Sequence, residues 1–152
     1  METVCILVVT AAVLLVILAA LLQAIQCDPI KSEKAHGGFR FSSRAAGWVV
    51  ALLGALYLFC FFLFWNTEHR EWPFMQGAAG MGIFLAATHL LFLLIHRIEW
   101  GNRRPSFHKP APRGRRRHPL RDLRRCALLD AVSVALCALV LLYASWAEKA
   151  GA

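Results

Sequence analysis

Four long apolar stretches limit what this chain can fold into. They run approximately over residues 3–25, 45–65, 75–96 and 127–147, and shorter polar segments separate them. A helix needs roughly 20 apolar residues to cross a hydrocarbon core of about 30 Å, where no water is present to bond the backbone amides. The pattern therefore predicts an all-α membrane protein whose four transmembrane helices form a compact antiparallel bundle.

Composition and loop length narrow the protein class further. Apolar residues make up 59% of the chain, above the roughly 45–50% of soluble domains. This excludes a soluble globular enzyme, a disordered chain and a disulfide-stapled secreted domain. The connection between the second and third stretches is short, and no N-x-[ST] sequon occurs. We expect one membrane domain over 1–152 without a folded ectodomain, unlike the tetraspanin and claudin patterns.

The basic residues predict an orientation, because Lys and Arg near span ends stay cytoplasmic. Four lie in 27–44 and eleven in 97–125, which share one side of a four-span protein, whereas the other side has only Arg70 and Lys149. Both termini should face the lumen or the exterior, and the loops 27–44 and 97–125 the cytoplasm, in the endoplasmic reticulum or the plasma membrane.

The first stretch has an alternative interpretation as a cleaved signal peptide, since Leu22-Gln23-Ala24 is a passable cleavage site. We favour an uncleaved span for two reasons. Only Met1 and Glu2 precede the apolar run, so no basic segment leads into it. Cleavage would also leave three spans and move the strongly basic loop 97–125 outside.

Small and polar residues predict the inward face of each helix, because helices in lipid associate through close backbone approach and interhelical hydrogen bonds. At 100° per residue, one such stripe occurs on every span. On the first two spans it comprises Cys5, Ala12, Val16, Ala19, Gln23 and Gln26, and Gly47, Ala51 and Gly54. On the last two it comprises Ala78, Gly82, Ala86, His89, Leu93 and His96, and Cys126, Asp130, Ser133, Cys137, Leu141 and Ala144.

The four inward polar side chains of most note fall in the cytoplasmic half: Gln23, His89, His96 and Asp130. A lone Asp in a span costs on the order of 3 kcal/mol, so it is usually paired and turned inward. One hypothesis is that Asp130 and His89 or His96 bind a ligand headgroup or relay a proton. We favour a structural role in fixing helix register, or pairing of Asp130 with Arg97 or Arg125. The pattern predicts no catalytic residue, cofactor or metal site.

The loop 97–125 is rich in Arg and Pro and poor in hydrophobic residues, so we expect it to be disordered or to lie on the membrane. Its commonest role is topogenic. It is also a candidate patch for anionic lipid or for retention in the endoplasmic reticulum, through Arg113, Arg115, Arg116, Arg117, Arg121, Arg124 and Arg125. Nucleic acid is an improbable partner, because interleaved aromatic residues are missing.

Two modifications are candidates. Ser106 follows Arg103-Arg104-Pro105, a basic context that suits phosphorylation, which would weaken attachment of the loop to the membrane. Cys27 and Cys126 lie where S-palmitoylation occurs, although a small residue at a helix end explains each cysteine as well.

Aromatic residues crowd the outer half of the second span: Tyr57, Phe59, Phe61, Phe62, Phe64 and Trp65. These rings surround the helix, so some must face lipid or a partner. We expect Trp65, Trp72 and Trp146 to form an interfacial belt.

These features favour a small, non-enzymatic accessory, assembly or trafficking subunit of another integral membrane protein. The alternative is an integral-membrane lipid-modifying enzyme or lipid carrier with a polar pocket in the cytoplasmic leaflet. A pore-forming oligomer is a third hypothesis, but the outer halves of the spans are too apolar for one. Microsomal eicosanoid and glutathione enzymes and cornichon-like cargo receptors share the architecture only, and no family motif is present.

Overall fold

The computed structural model describes residues 1–26, 43–67, 72–102 and 119–151. They form four α-helices: α1 (Glu2–Gln26), α2 (Ser43–Thr67), α3 (Trp72–Asn102) and α4 (Pro119–Lys149). All four are long and apolar enough to cross a membrane, with candidate spans Glu2–Ile25, Ala45–Trp65, Trp72–Ile98 and Leu123–Lys149. The predicted all-α, four-span architecture is confirmed, and the chain is a multi-pass integral membrane protein.

The last two helices are longer than the apolar stretches that predict them. α3 continues to Asn102 and α4 begins at Pro119, so both ends of the loop predicted over 97–125 are helical. Proline is tolerated at a helix start because the first amides have no partner within the helix. The middle of that loop, 103–118, lies outside the described residues, and its predicted disorder stays a prediction.

The helices form a closed ring in chain order, in which each packs against the next and α4 packs against α1. α1 also contacts α3 across the centre, whereas the described residues of α2 and α4 do not touch. The bundle is therefore flattened around α1 and α3. α2 is the helix whose span is least buried.

The two ends of the bundle differ in side-chain character. We call the end where α1 and α3 end and α2 and α4 begin the polar end, and the opposite end the aromatic end. At the aromatic end, Tyr143 packs against Trp72 and Trp146, with ring centroids 5.7 and 6.1 Å away. Phe61 stacks on Phe74 between α2 and α3 at 5.8 Å.

Burial agrees with the predicted inward stripes. Every residue predicted on α2 and α3 is buried, as are those on α4 except the half-buried Leu141. On α1 the stripe is buried from Cys5 to Gln23, and the side chain of Gln26 lies outside the described residues. Helical periodicity alone thus located the interior, since a lipid-exposed face and a packed face differ in residue size and polarity.

Candidate functional site

Three polar side chains from three helices form a hydrogen-bonded chain inside the bundle. His89 of α3 occupies the middle. Its Nδ1 lies 2.6 Å from Oδ2 of Asp130 on α4, and its Nε2 lies 2.7 Å from Oε1 of Gln23 on α1. His89 and Asp130 are 0% exposed and Gln23 is 2% exposed. We call these residues the polar triad.

The polar triad lies well inside the apolar part of the helices. His89 is nine residues before Ile98, where the third candidate span ends, a distance of roughly 14 Å along the axis. Asp130 is seven residues after Leu123, where the fourth span begins, or roughly 10 Å. Ionisable groups at such depth are expensive unless paired with each other. The direct contact between His89 and Asp130 supplies that pairing.

Three proton arrangements satisfy the contacts of His89. With the carbonyl oxygen of Gln23 against Nε2, a doubly protonated imidazolium donates to Gln23 and to an ionised Asp130. The pair is then neutral overall. With the Gln23 amide turned over, its NH₂ group donates to Nε2, and Nδ1 of a neutral imidazole donates to Asp130. In the third arrangement, a protonated Asp130 carboxyl donates to Nδ1 of a neutral imidazole, whose Nε2 donates to Gln23. The contacts bind α1, α3 and α4 together in all three arrangements.

Two further hydrogen bonds reinforce the contact between α1 and α4. The Oγ of Ser133 donates to the backbone carbonyl of Ala12 over 2.8 Å. The Sγ of Cys126 donates to the carbonyl of Ala19 over 3.4 Å. Side-chain hydrogen bonds between membrane helices are each worth roughly 1 kcal/mol. Together they set the axial register of α4 against α1.

One carboxylate oxygen of Asp130 takes no part in the hydrogen bonds of the polar triad. Oδ1 of Asp130 is buried and has no hydrogen-bond partner among the described residues. A buried acceptor without a partner normally indicates a water, an ion or another ligand.

The structure brings together three of the four predicted polar residues in one chain of contacts. The fourth, His96, is 5% exposed and lies on the same face of α3, about two turns nearer the polar end. Asp130 pairs with His89 and not with Arg97 or Arg125, whose side chains are exposed.

The remaining predicted sites are only partly described. Cys126 is 3% exposed, so acylation would require its thiol to leave the hydrogen bond to Ala19. Arg124 is exposed on α4, and Arg121 lies in α4 with its side chain outside the described residues. Entirely outside the described residues are Cys27, Ser106, Arg113, Arg115, Arg116 and Arg117. Palmitoylation, phosphorylation and retention stay predictions.

The structure has a polar contact between α2 and α3 that the sequence analysis did not predict. The hydroxyl of Tyr57 donates to the carbonyl of Ala78 over 2.6 Å. The available signal was a Tyr well inside a span, because a buried phenol usually finds an acceptor. Beside this bond lies an apolar groove of about 310 Å³, lined by Tyr57, Cys60, Phe61, Phe64, Phe74, Gly77, Ala78 and Met81.

Among the described residues, no three His, Cys, Asp or Glu side chains lie close enough together to hold a metal ion. Comparisons of the chain with models of protein families, with functionally characterised proteins and with solved structures found no match.

Proposed function

We propose that this four-span membrane protein is a non-enzymatic accessory, assembly or trafficking subunit of another integral membrane protein. The observation that carries the proposal is the burial of the polar triad. His89, Asp130 and Gln23 contact one another and expose almost no surface. Polar groups arranged in this way hold helices together, and a substrate would reach them only if the helices separated.

We assign binding of the partner membrane protein to the lipid-facing surface, and α2 is the main candidate helix. α2 is the least buried span, and its described residues make no contact with those of α4. It carries a continuous stripe of exposed large side chains: Trp48, Leu52, Leu56, Phe59 and Leu63. A single peripheral helix with aromatic residues on its outer face is a suitable surface for the helix of a partner, since large rigid rings bury much area with little loss of side-chain entropy.

Site-specific photo-crosslinking tests this assignment. A photoreactive residue replaces Phe59 on α2 in one variant and Leu142 on α4 in a control variant. The two side chains are 66% and 69% exposed, and both lie in the half of the bundle nearer the aromatic end. The full-length protein is irradiated in its native membrane, and its adducts are identified after extraction in a mild detergent.

We expect one integral membrane protein to be linked through position 59 in near-stoichiometric yield and not through position 142. Lipid adducts alone at both positions would contradict the proposal. Adducts to the same protein at both positions would remove α2 as the binding helix but keep the accessory role.

A lipid-modifying enzyme or lipid carrier is the second candidate, and one observation favours it. The unpartnered Oδ1 of Asp130 is an acceptor that a hydroxyl or amine of a lipid headgroup would satisfy. The same extraction distinguishes the candidates. A homo-oligomer that carries a defined lipid, and loses it on Asp130→Asn, would support the carrier or enzyme.

A further inference from the structure

A small cleft opens between α3 and α4 at the polar end of the bundle. It has a volume of about 160 Å³ and is lined by Leu93, Leu94, Arg97, Leu123 and Arg124. Leu93 is buried, Leu94 is 51% exposed and both arginines are exposed. The cleft therefore combines an apolar wall, part of which is open to lipid, with two cationic side chains.

Both arginines lie at the polar-end limits of the candidate spans, where we expect the hydrocarbon to give way to headgroups. Arg97 is the penultimate residue of the third candidate span, which ends at Ile98. Arg124 is the second residue of the fourth, which begins at Leu123. Since α3 ends and α4 begins at the polar end, both arginines line the cleft close to the ends of their spans. Leu94 is three residues deeper than Arg97 on α3, roughly one turn.

Among the side chains that the structure describes, neither arginine has a salt-bridge partner. An arginine at the membrane interface usually finds a phosphate, because the planar guanidinium fork matches two oxygens of that group. A water occupies about 30 Å³ of liquid volume, so a cleft of about 160 Å³ corresponds to about five waters. That volume is sufficient for the five heavy atoms of a phosphate group.

We propose that this cleft is a binding site for one anionic glycerophospholipid, a role that does not depend on the proposed accessory function. The guanidinium groups of Arg97 and Arg124 bind the phosphate from two sides. An acyl chain lies along Leu94 on the outer surface of α3. The two positive charges exceed the single charge of a phosphodiester, so a headgroup with an additional negative charge binds more tightly than a zwitterionic one.

Lipid retention by the purified full-length protein tests the site. The probes are phosphatidylserine and phosphatidylcholine with identical acyl chains, titrated into detergent micelles and counted on the protein by native mass spectrometry. The test variant is Arg97→Gln with Arg124→Gln. The matched control is Arg125→Gln, which removes a neighbouring exposed arginine of α4 that does not line the cleft.

We expect wild type and Arg125→Gln to retain one phosphatidylserine in preference to phosphatidylcholine. In the double variant the affinity for phosphatidylserine should fall at least about tenfold, because two interfacial charges are lost. The elution volume and the thermal unfolding of the double variant should match those of wild type, since both replaced side chains are exposed.

Three outcomes would overturn the proposal. One is equal retention of phosphatidylserine by wild type and the double variant. The second is an equal loss in Arg125→Gln, which would show that net charge and not the cleft attracts the lipid. The third is displacement of the lipid by an equal concentration of inorganic phosphate, which would show that the apolar wall contributes nothing.

Discussion

His89 and Asp130 meet at a depth where lipid offers no hydrogen-bonding partner. Removal of one member leaves the other buried without its hydrogen-bonding partner, which in soluble proteins costs about 1–3 kcal/mol. Interhelical hydrogen bonds in membranes are worth less, because the separated helices find other partners.

We therefore expect Asp130→Ala to lower the free energy of unfolding by about 2 kcal/mol. The measurement is denaturant unfolding in mixed micelles. The control is Thr88→Ala, which removes a hydroxyl that donates only within α3, to the carbonyl of Phe84, and should change stability by no more than about 0.5 kcal/mol.

A double-mutant cycle separates the free energy of the contact between His89 and Asp130 from the effects of each substitution alone. His89→Ala and Asp130→Ala should be non-additive, with a coupling of about 1 kcal/mol. Additive effects would mean that the 2.6 Å contact between the two side chains contributes nothing to stability.

The hydrogen bond of the Tyr57 hydroxyl gives a second prediction. Tyr57→Phe keeps the ring and removes the hydrogen bond to Ala78, so the free energy of unfolding should fall by about 1 kcal/mol. The control is Tyr143→Phe, because the Tyr143 ring packs between Trp72 and Trp146 and its hydroxyl has no hydrogen bond to a described residue. Equal loss in both variants would refute a role for the bond to Ala78.

Between elements, α1 and α2 approach each other closely at Gly47. A methyl group added there would lie 2.7 Å from the carbonyl oxygen of Ala20 and 3.0 Å from the amide nitrogen of Ala24. Both atoms belong to the α1 backbone, so relief requires the two helices to move apart. Small residues at such crossings are what allow membrane helices to pack closely.

Gly47→Ala should therefore lower the free energy of unfolding by about 1–3 kcal/mol. A cysteine pair across α1 and α2 should also cross-link more slowly. Gly80→Ala is the matched control, since an added methyl group at Gly80 meets nothing within 4 Å, and alanine favours a helix over glycine. The control should be neutral or slightly stabilising, and a destabilised Gly80→Ala with an unaffected Gly47→Ala would contradict the packing.

For the whole molecule, four spans place both termini on the same side of the membrane, and the basic loops predict which side. An Asn-x-Ser acceptor appended after Ala152 should be glycosylated in microsomes, whereas the same acceptor inserted within 103–118 should not. Glycosylation of the loop acceptor alone would show that the orientation is the opposite of the predicted one. Glycosylation of both acceptors would require two populations of opposite topology.

The number of spans and the inward face of each helix follow from the amino-acid sequence alone. Ala78, Gly82 and His89 share a face because the α-helix has a fixed periodicity, and that face is buried because lipid favours apolar side chains outside. Both inferences need only one helix at a time.

Which inward groups meet depends on how the four helices pack in the folded bundle. Spacing along α3 cannot show that His89 contacts Asp130 and Gln23 simultaneously, or that α1 touches α3 while α2 remains peripheral. Those choices depend on the axial register and order of four helices together. Close backbone contacts such as Gly47 against Ala20, and hydrogen bonds such as Ser133 to Ala12, set that register in the folded bundle.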